Sequence, residues 1–454
     1  MEKMQFGFSK VDITPRPGVE LYGFGPFLHR YATAVREPLY ARAMAAADGE
    51  NTVVIVVCDL VGVSACIADE ARERTSSATG IPREHICVHC THTHSAPRAK
   101  FGIGQGEADM PYLEILPVRI AQACTEAVAA LAPGSLCHTV VPCEGIGYNR
   151  EHDVRPSLEE ALNENWRPAM PEITDTEAHV LRVDDEDSMI GFISYFSCHP
   201  VVGSAPNTYI HSDFCGVATN LLERETPGVH GIFLQGCEGN INSCVVHHGE
   251  QESLQALDVI ASRYARQIRP GISSAQPLGG SKVAGLSRQY SLTHIPLSAS
   301  QLETRLAEAE AVIKAPGATD DAPEVRRATV HAIALRKELR RQAEFGREYE
   351  GLVEIQALRI GSLVMVGAPY EIMLRYKRRV QAEFDTPVLV LSLCNDARGY
   401  APEKESFDME DNYAARTVPH LCGYPPLAPV IEDELVAGMV ELAQGLLGSP
   451  PAGS

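Results

Sequence analysis

The sequence predicts an α/β fold of mixed β-sheets flanked by helices, and three observations carry that expectation. Short Val/Ile-rich runs such as Thr52 to Leu60 and Gly231 to Gln235 have the length and predominant apolarity of strands buried on both faces. Between such runs lie helical segments, among them Ile67 to Thr79, stopped by Gly80-Ile81-Pro82, and Gly216 to Glu225. Several strands run straight into polar loops rich in His, Gly and Pro, the positions where α/β proteins commonly carry chemistry.

In chain order, Gly7 to Ile13 and Ala41 to Ala47 read as strands, separated by the Thr14 to Gly18 turn region and closed at Asp48-Gly49. The strand Thr52 to Leu60, the helix from Ile67 and the short strand Ile86 to Cys90 follow, and the last enters Thr91-His92-Thr93-His94-Ser95-Ala96-Pro97. Tyr112 to Ala132 has helical spacing; Ser135 to Pro142, His179 to Val183 and Met189 to Ser197 read as strands, the last delivering Cys198-His199-Pro200. Residues 298–350 turn helical and highly charged, with a break at Ala315 to Pro323, and predict a helical hairpin set on the main body. Val353 to Ile360 and Leu363 to Gly367 form a β-hairpin about Gly361-Ser362, and Val388 to Leu393 is a further strand. The expected organisation is one catalytic domain over 1–454, with the hairpin as an insertion.

Composition narrows the function. The chain has 454 residues, 45% apolar and 22% charged, with a net charge of −20 that opposes nucleic acid and anionic lipid partners. Two basic stretches, Arg336 to Arg347 and Arg375 to Arg379, read as solvated helix faces. The longest apolar run is broken by Asp59 and Gly62, so neither a membrane span nor stable membrane association is expected. Met1 to Thr14 has no apolar core behind a basic start, and thirteen scattered cysteines suit reduced thiols, so a cytoplasmic location is expected. The lone Cys87-x-x-Cys90 lies in an alternating strand and predicts no structural zinc. Nothing in the sequence fixes an oligomeric state.

Among sixteen histidines, placement has to decide. His92 and His94 lie two apart, so in an extended segment both imidazoles point to one side. His199 is a second strand-end histidine, stiffened by Pro200. Glu371 follows a strand and opens a helix, which suits a metal ligand or a carboxylate stabilised by the helix dipole. There is no G-x-S-x-G elbow, P-loop or H-E-x-x-H, and Gly102-x-Gly104-x-Gly106 lacks the strand-to-helix context of a dinucleotide site. A Cys237 or Ser95 nucleophile with a histidine base stays open as an alternative, as does a non-catalytic binding protein with a decayed site.

Six segments in order resemble the catalytic domain of the neutral, non-lysosomal ceramidases and their bacterial relatives. They are Thr91 to Pro97, Gly147-Tyr148-Asn149-Arg150, Phe196 to Pro200, Phe233-Leu234-Gln235 with Gly239, Pro369-Tyr370-Glu371 and Gly399-Tyr400-Ala401-Pro402. The resemblance implies one zinc ion per chain held by His92, His199, Glu371 and Tyr400, with His94 and Arg150 meeting the substrate near the scissile carbonyl. It also points to Gly236, Cys237 and Tyr413 as substrate-binding positions, with departures. Gly236 stands where the ceramidases carry a serine, Tyr413 is one residue out of register, and Ala414 replaces a glutamate. Asp213 suits an orienting or proton-accepting role, or a helix N-cap. No C-terminal immunoglobulin-like domain like that of true ceramidases is expected, and a soluble small-molecule amide is the expected substrate rather than membrane ceramide. An ester or lactone would use the same zinc water.

Overall fold

Side-chain alternation along the strands decides how three sheets assemble in this computed structural model, which describes residues 4–448. The first sheet is built from β1 (Gln5–Asp12), β2 (Tyr40–Ala47), β3 (Thr52–Cys58) and β4 (Ile86–Cys90), in the order β4-β3-β2-β1, with only β3 and β4 parallel. Val54, Val56 and Cys58 face α1 (Ala65–Thr79) and α2 (Met110–Ala129), whereas Val53, Ile55 and Val57 face the molecular centre.

The second sheet repeats the scheme with β5 (Ser135–Pro142), β6 (Glu177–Asp184), β7 (Met189–Phe196) and β8 (His230–Gln235), of which β7 and β8 are parallel. Phe192, Phe196 and Phe233 pack under α3 (Asp213–Glu225) and α4 (Glu250–Ser274), and Ile193, Ile232 and Leu234 turn inward. The third sheet holds β9 (Val283–Leu292), β10 (Gly351–Ile360), β11 (Leu363–Gly367) and β13 (Val388–Leu391), with β11 and β13 parallel. Leu358, Met365 and Leu389 join the same central core, while Ile355, Val366 and Val390 meet the helix Ile431–Leu447. Each sheet therefore buries both faces, which is why its strands read as continuous apolar runs.

α4, β9 and the helix Ile431–Leu447 are elements the sequence left unassigned. β9 carries the half-exposed run Gly285-Leu286-Ser287-Arg288-Gln289 of an edge strand, which hides it from an apolar search. The helical hairpin consists of α5 (Ala299–Ile313) and α6 (Pro323–Phe345), which pack through Ala309, Ala328 and Ala332. One basic stretch differs from expectation: Arg375 and Arg379 pair with Glu403 and Glu432, and Lys377 is buried against Asp175 at 2.7 Å. That stretch is tied down by carboxylates rather than left to solvent. Among the described residues every cysteine is free and all but Cys66 are buried, with Cys87 in the central core and Cys90 on the opposite face of β4. Among them, too, no helix is long and apolar enough to cross a membrane.

Candidate metal centre

Three strand ends meet at one point. His92 lies two residues beyond β4, His199 three beyond β7, and Glu371 four beyond β11 in the two-residue strand β12 (Glu371–Ile372). β14 (Tyr400–Ala401) pairs with β12 in parallel and sets Tyr400 directly beside Glu371. The carboxyl ends of strands in parallel pairs are where open α/β sheets leave room for ligands.

Backbone hydrogen bonds fix the two outer imidazoles. His92 Nδ1 donates to the Val61 carbonyl and His199 Nδ1 to the Glu238 carbonyl, each at 2.7 Å. Both rings must then present Nε2 lone pairs, which lie 3.4 Å and 3.3 Å from Glu371 Oε2. Tyr400 Oη is 3.4 Å from His199 Nε2, its ring stacked on the imidazole. His92 holds a left-handed φ of 73°, rare for a residue with a Cβ, and such strain collects at functional sites. Gly239 allows the Glu238 turn to approach: a Cβ there would sit 2.6 Å from the Glu371 carbonyl oxygen.

These donors fit a tetrahedral zinc. Bonds of about 2.0–2.2 Å place tetrahedral ligand atoms roughly 3.3–3.6 Å apart, and an N2O2 set of imidazole, carboxylate and phenol oxygen is chemically suitable. His94 Nε2 is also close, 3.2 Å from His92 Nε2, and His92, His94 and His199 form a three-histidine cluster. Spacing alone does not separate His94 from the ligands. Its second nitrogen does: His94 Nδ1 is buried with no hydrogen-bond partner among the described residues, whereas ligating imidazoles almost always donate their other N–H. The His94 ring is held by Gly23 and by an edge contact with Phe24.

Electrostatics disfavour the charged form of two of these imidazoles. Burial, then Arg150, pushes His199 down to about 4, and burial with the neighbouring His92 and His199 pushes His94 well below its usual range. Burial alone would raise Glu371, but His92, His199 and Lys100 outweigh it and hold the carboxyl well below the ordinary value. Burial raises the Tyr400 phenol and Glu371 adds to that, while Arg150 opposes both. Arg150 lies over the Tyr400 ring, its carbon 5.1 Å from the centroid, and donates to the Gly239 carbonyl at 2.7 Å and to Asn242 at 3.3 Å.

A cleft of about 550 Å³ opens onto this cluster, lined by His94, Arg150, His199, Tyr400 and Tyr413 among others. The structure thus brings His92, His94, His199, Glu371, Tyr400, Arg150 and Tyr413 together. Three expected residues lie elsewhere. Asp213 stands at the start of α3 with φ 54°, and its carboxylate accepts the backbone N–H groups of Val202, Gly203 and Phe214 at 3.3, 2.9 and 2.8 Å. It fastens the loop after His199 from behind, out of reach of the cleft. Gly236 packs on Tyr195 and Ser197, where a Cβ would meet the hydroxyl oxygen of Ser197 at 2.4 Å. The Cys237 thiol lies in the apolar core near the Val390 carbonyl, and burial pushes it well above its usual value. Ser95 is buried, its hydroxyl accepting from Asn207 at 3.0 Å. Neither side chain is presented as a nucleophile.

Two residues at the cluster escaped the sequence reading. Lys100 Nζ is buried 3.9 Å from Glu371 Oε1, on the side away from the histidines. Tyr22 and Glu371 outweigh burial and raise its ammonium above the usual value. Glu238 is buried near Glu371, and burial first and that carboxylate second push it well above its usual range. A lone lysine and a glutamate in a glycine turn carry no periodic signal that could have found them.

A family model described as neutral/alkaline non-lysosomal ceramidase, N-terminal, matches residues 4–237. The fold is similar to the neutral ceramidase from Pseudomonas aeruginosa, with a TM-score of 0.73 and 20% identity, covering 100% of this chain and 76% of that one. A structure of a ceramidase complexed with C2 is similar to the same degree: TM-score 0.73, 20% identity, and 100% and 76% coverage.

Proposed function

The chain belongs to the neutral/alkaline non-lysosomal ceramidase family, and from that premise we propose that it is a zinc-dependent hydrolase of an amide bond in a soluble small molecule. His92, His199, Glu371 and Tyr400 would hold the ion. The observation that carries this reading is the 3.3–3.4 Å spacing of their donor atoms around Glu371 Oε2 and His199 Nε2, with both ligand histidines oriented by backbone carbonyls.

Bound there, zinc supplies a water of lowered pKa and Lewis-acid polarisation of the carbonyl. The chain's own groups do the rest. His94, neutral because burial and its neighbours keep it so, offers an imidazole N–H toward the carbonyl oxygen. Arg150 adds a charged donor on the Tyr400 side of the cleft, and Asn242 and the Gly239 carbonyl fix its plane. Lys100 balances the outer oxygen of Glu371, leaving Oε2 to face the histidines. Asp213 positions His199 through the loop behind it. The charged groups within the cleft's otherwise largely apolar lining, Arg150, Glu151 and Asp411 among them, support a substrate that carries a polar, soluble group. Thirteen unpaired cysteines support a reducing, cytoplasmic setting.

The test is a panel of N-acyl amines of graded size, with products identified by mass, run on protein stripped of metal by chelation and then reloaded with zinc. Turnover should vanish on stripping and return with about one equivalent of zinc per chain. Full activity in metal-free protein would refute the proposal.

A further inference from the structure

The outer wall of the cleft is supplied by the hairpin. Pro323, Arg326 and Arg327, in the first two turns of α6, line the same cavity as His94 and Tyr400. Among the described residues neither arginine forms an ion pair within 4.0 Å; Asp321 feels Arg326 only at longer range. Arg326 Nε is buried with no hydrogen-bond partner. With no carboxylate paired to either guanidinium, their terminal N–H groups stay available to a ligand oxygen that enters the cleft.

The surroundings point the same way. Across the cleft His247 is held below its ordinary value by burial, then by Arg155 and Arg150. Two carboxylates share the lining with three guanidiniums. Glu151 already accepts from Ser406 at 3.0 Å and Asn412 at 2.5 Å, which leaves Asp411 as the one competing anion. In a chain of net charge −20, guanidiniums gathered at a helix N-terminus beside a cleft are a local reversal of field. The lining also includes Phe24, Val201, Val246 and Met409, apolar side chains that suit a hydrocarbon portion of the ligand.

We propose that Arg326 and Arg327 form a subsite for an anionic group, a carboxylate or its oxyanion equivalent, carried by the substrate at the end remote from the scissile amide. The inference rests on the cleft being that of an amide hydrolase and adds the charge class of its substrate. The anion sits on either the amine or the acyl portion, and the experiment separates these.

Binding is measured first, by calorimetry on metal-depleted full-length protein, which removes chemistry from the readout. The probes are an N-acyl-ω-aminoalkanoate, the matching N-acyl-ω-aminoalkanamide, and a long-chain dicarboxylic acid monoamide with its uncharged methyl ester. One anionic member should bind tighter than its neutral partner by roughly 10–100-fold, the scale of a charge-assisted hydrogen bond, and which pair does so identifies the anion-bearing side. R326Q/R327Q should abolish that ratio, and R327Q alone, at an exposed position, should reduce it and guards against misfolding of the double variant. Equal binding of charged and neutral partners, or a ratio untouched in both variants, overturns the subsite. If the preference is present yet zinc-loaded protein hydrolyses none of the four amides, the subsite stands and the hydrolase reading falls.

Discussion

Replacing His94 and His199 separately by alanine tests the metal centre where the structure is most discriminating. Both rings belong to the same histidine cluster, yet only His199 has its Nδ1 locked, at 2.7 Å on the Glu238 carbonyl. Removing only such a lock typically costs 10–100-fold in metal affinity, so removing the ligand itself should cost more than ~100-fold. His199→Ala also leaves the buried Glu238 carbonyl without its donor, about 1–3 kcal/mol of stability. His94→Ala removes no locked ligand: metal affinity should change by less than ~10-fold, while kcat/KM falls by about 10²–10³, the effect of losing one oxyanion donor. Affinity is read by competition with a chromophoric zinc chelator and metal content after dialysis, with circular dichroism confirming the fold. If folded His94→Ala loses zinc as completely as His199→Ala, the site is a three-histidine centre and the assignment of Tyr400 as fourth ligand is wrong.

Other perturbations follow from the same contacts. Lys100→Met should destabilise metal-free protein by about 3 kcal/mol, because Glu371 then keeps a buried charge with less compensation; an unchanged urea midpoint would show that Lys100 does not balance it. His89 is buried, accepts from Gln235 N–H at 2.9 Å through Nε2, and burial holds it down to about 3. Its folded pKa lies below the unfolded value near 6.5, so the stability it contributes is complete above that pH and lost as pH falls toward 3. Between pH 6.5 and 5.5 the loss is about 1 kcal/mol for this one group, steepening toward about 1.4 kcal/mol per pH unit lower down, and His89→Gln should remove that difference between urea midpoints at pH 6.5 and 5.5. Cys237→Ala should keep zinc-dependent turnover and lose about 1 kcal/mol or more of stability as a core truncation; abolished turnover in a folded, zinc-loaded variant would revive the thiol nucleophile. Zinc at 100 times its Kd should raise global stability by about 2.7 kcal/mol in wild type and not in His199→Ala, by thermal denaturation with and without chelator.

Much of the fold was legible because each sheet is buried on both sides. Tht continuous apolar runs at β3, β7, β8 and β11 announced strands, and the histidines just past β4 and β7 stood out as polar residues at strand ends. Glu371 and Tyr400 are different. Their pairing joins residues from β12 and β14, with a helix and β13 between them, and no local pattern encodes it; only the resemblance linked them. The misplacements at 213, 236 and 237 share one cause. Adjacency to a catalytic turn says nothing about which way a residue faces: Gln235 donates to the Thr91 and Cys198 carbonyls, while Cys237 turns into the core and Glu238 toward Glu371.

Arg326 and Arg327 were hidden for a further reason. On a charged amphipathic helix an arginine reads as solvated, and only the docking of the hairpin over the cleft turns that helix start into a wall of the site. On this proposal the chemistry and the charge selectivity come from different parts of the chain. The residues proposed to hold the metal follow strands whose faces are buried in the cores, so they tolerate little change. The arginines sit on a helical hairpin that contributes none of those ligands, and replacing them should alter which amide is taken while leaving the donor set for zinc in place.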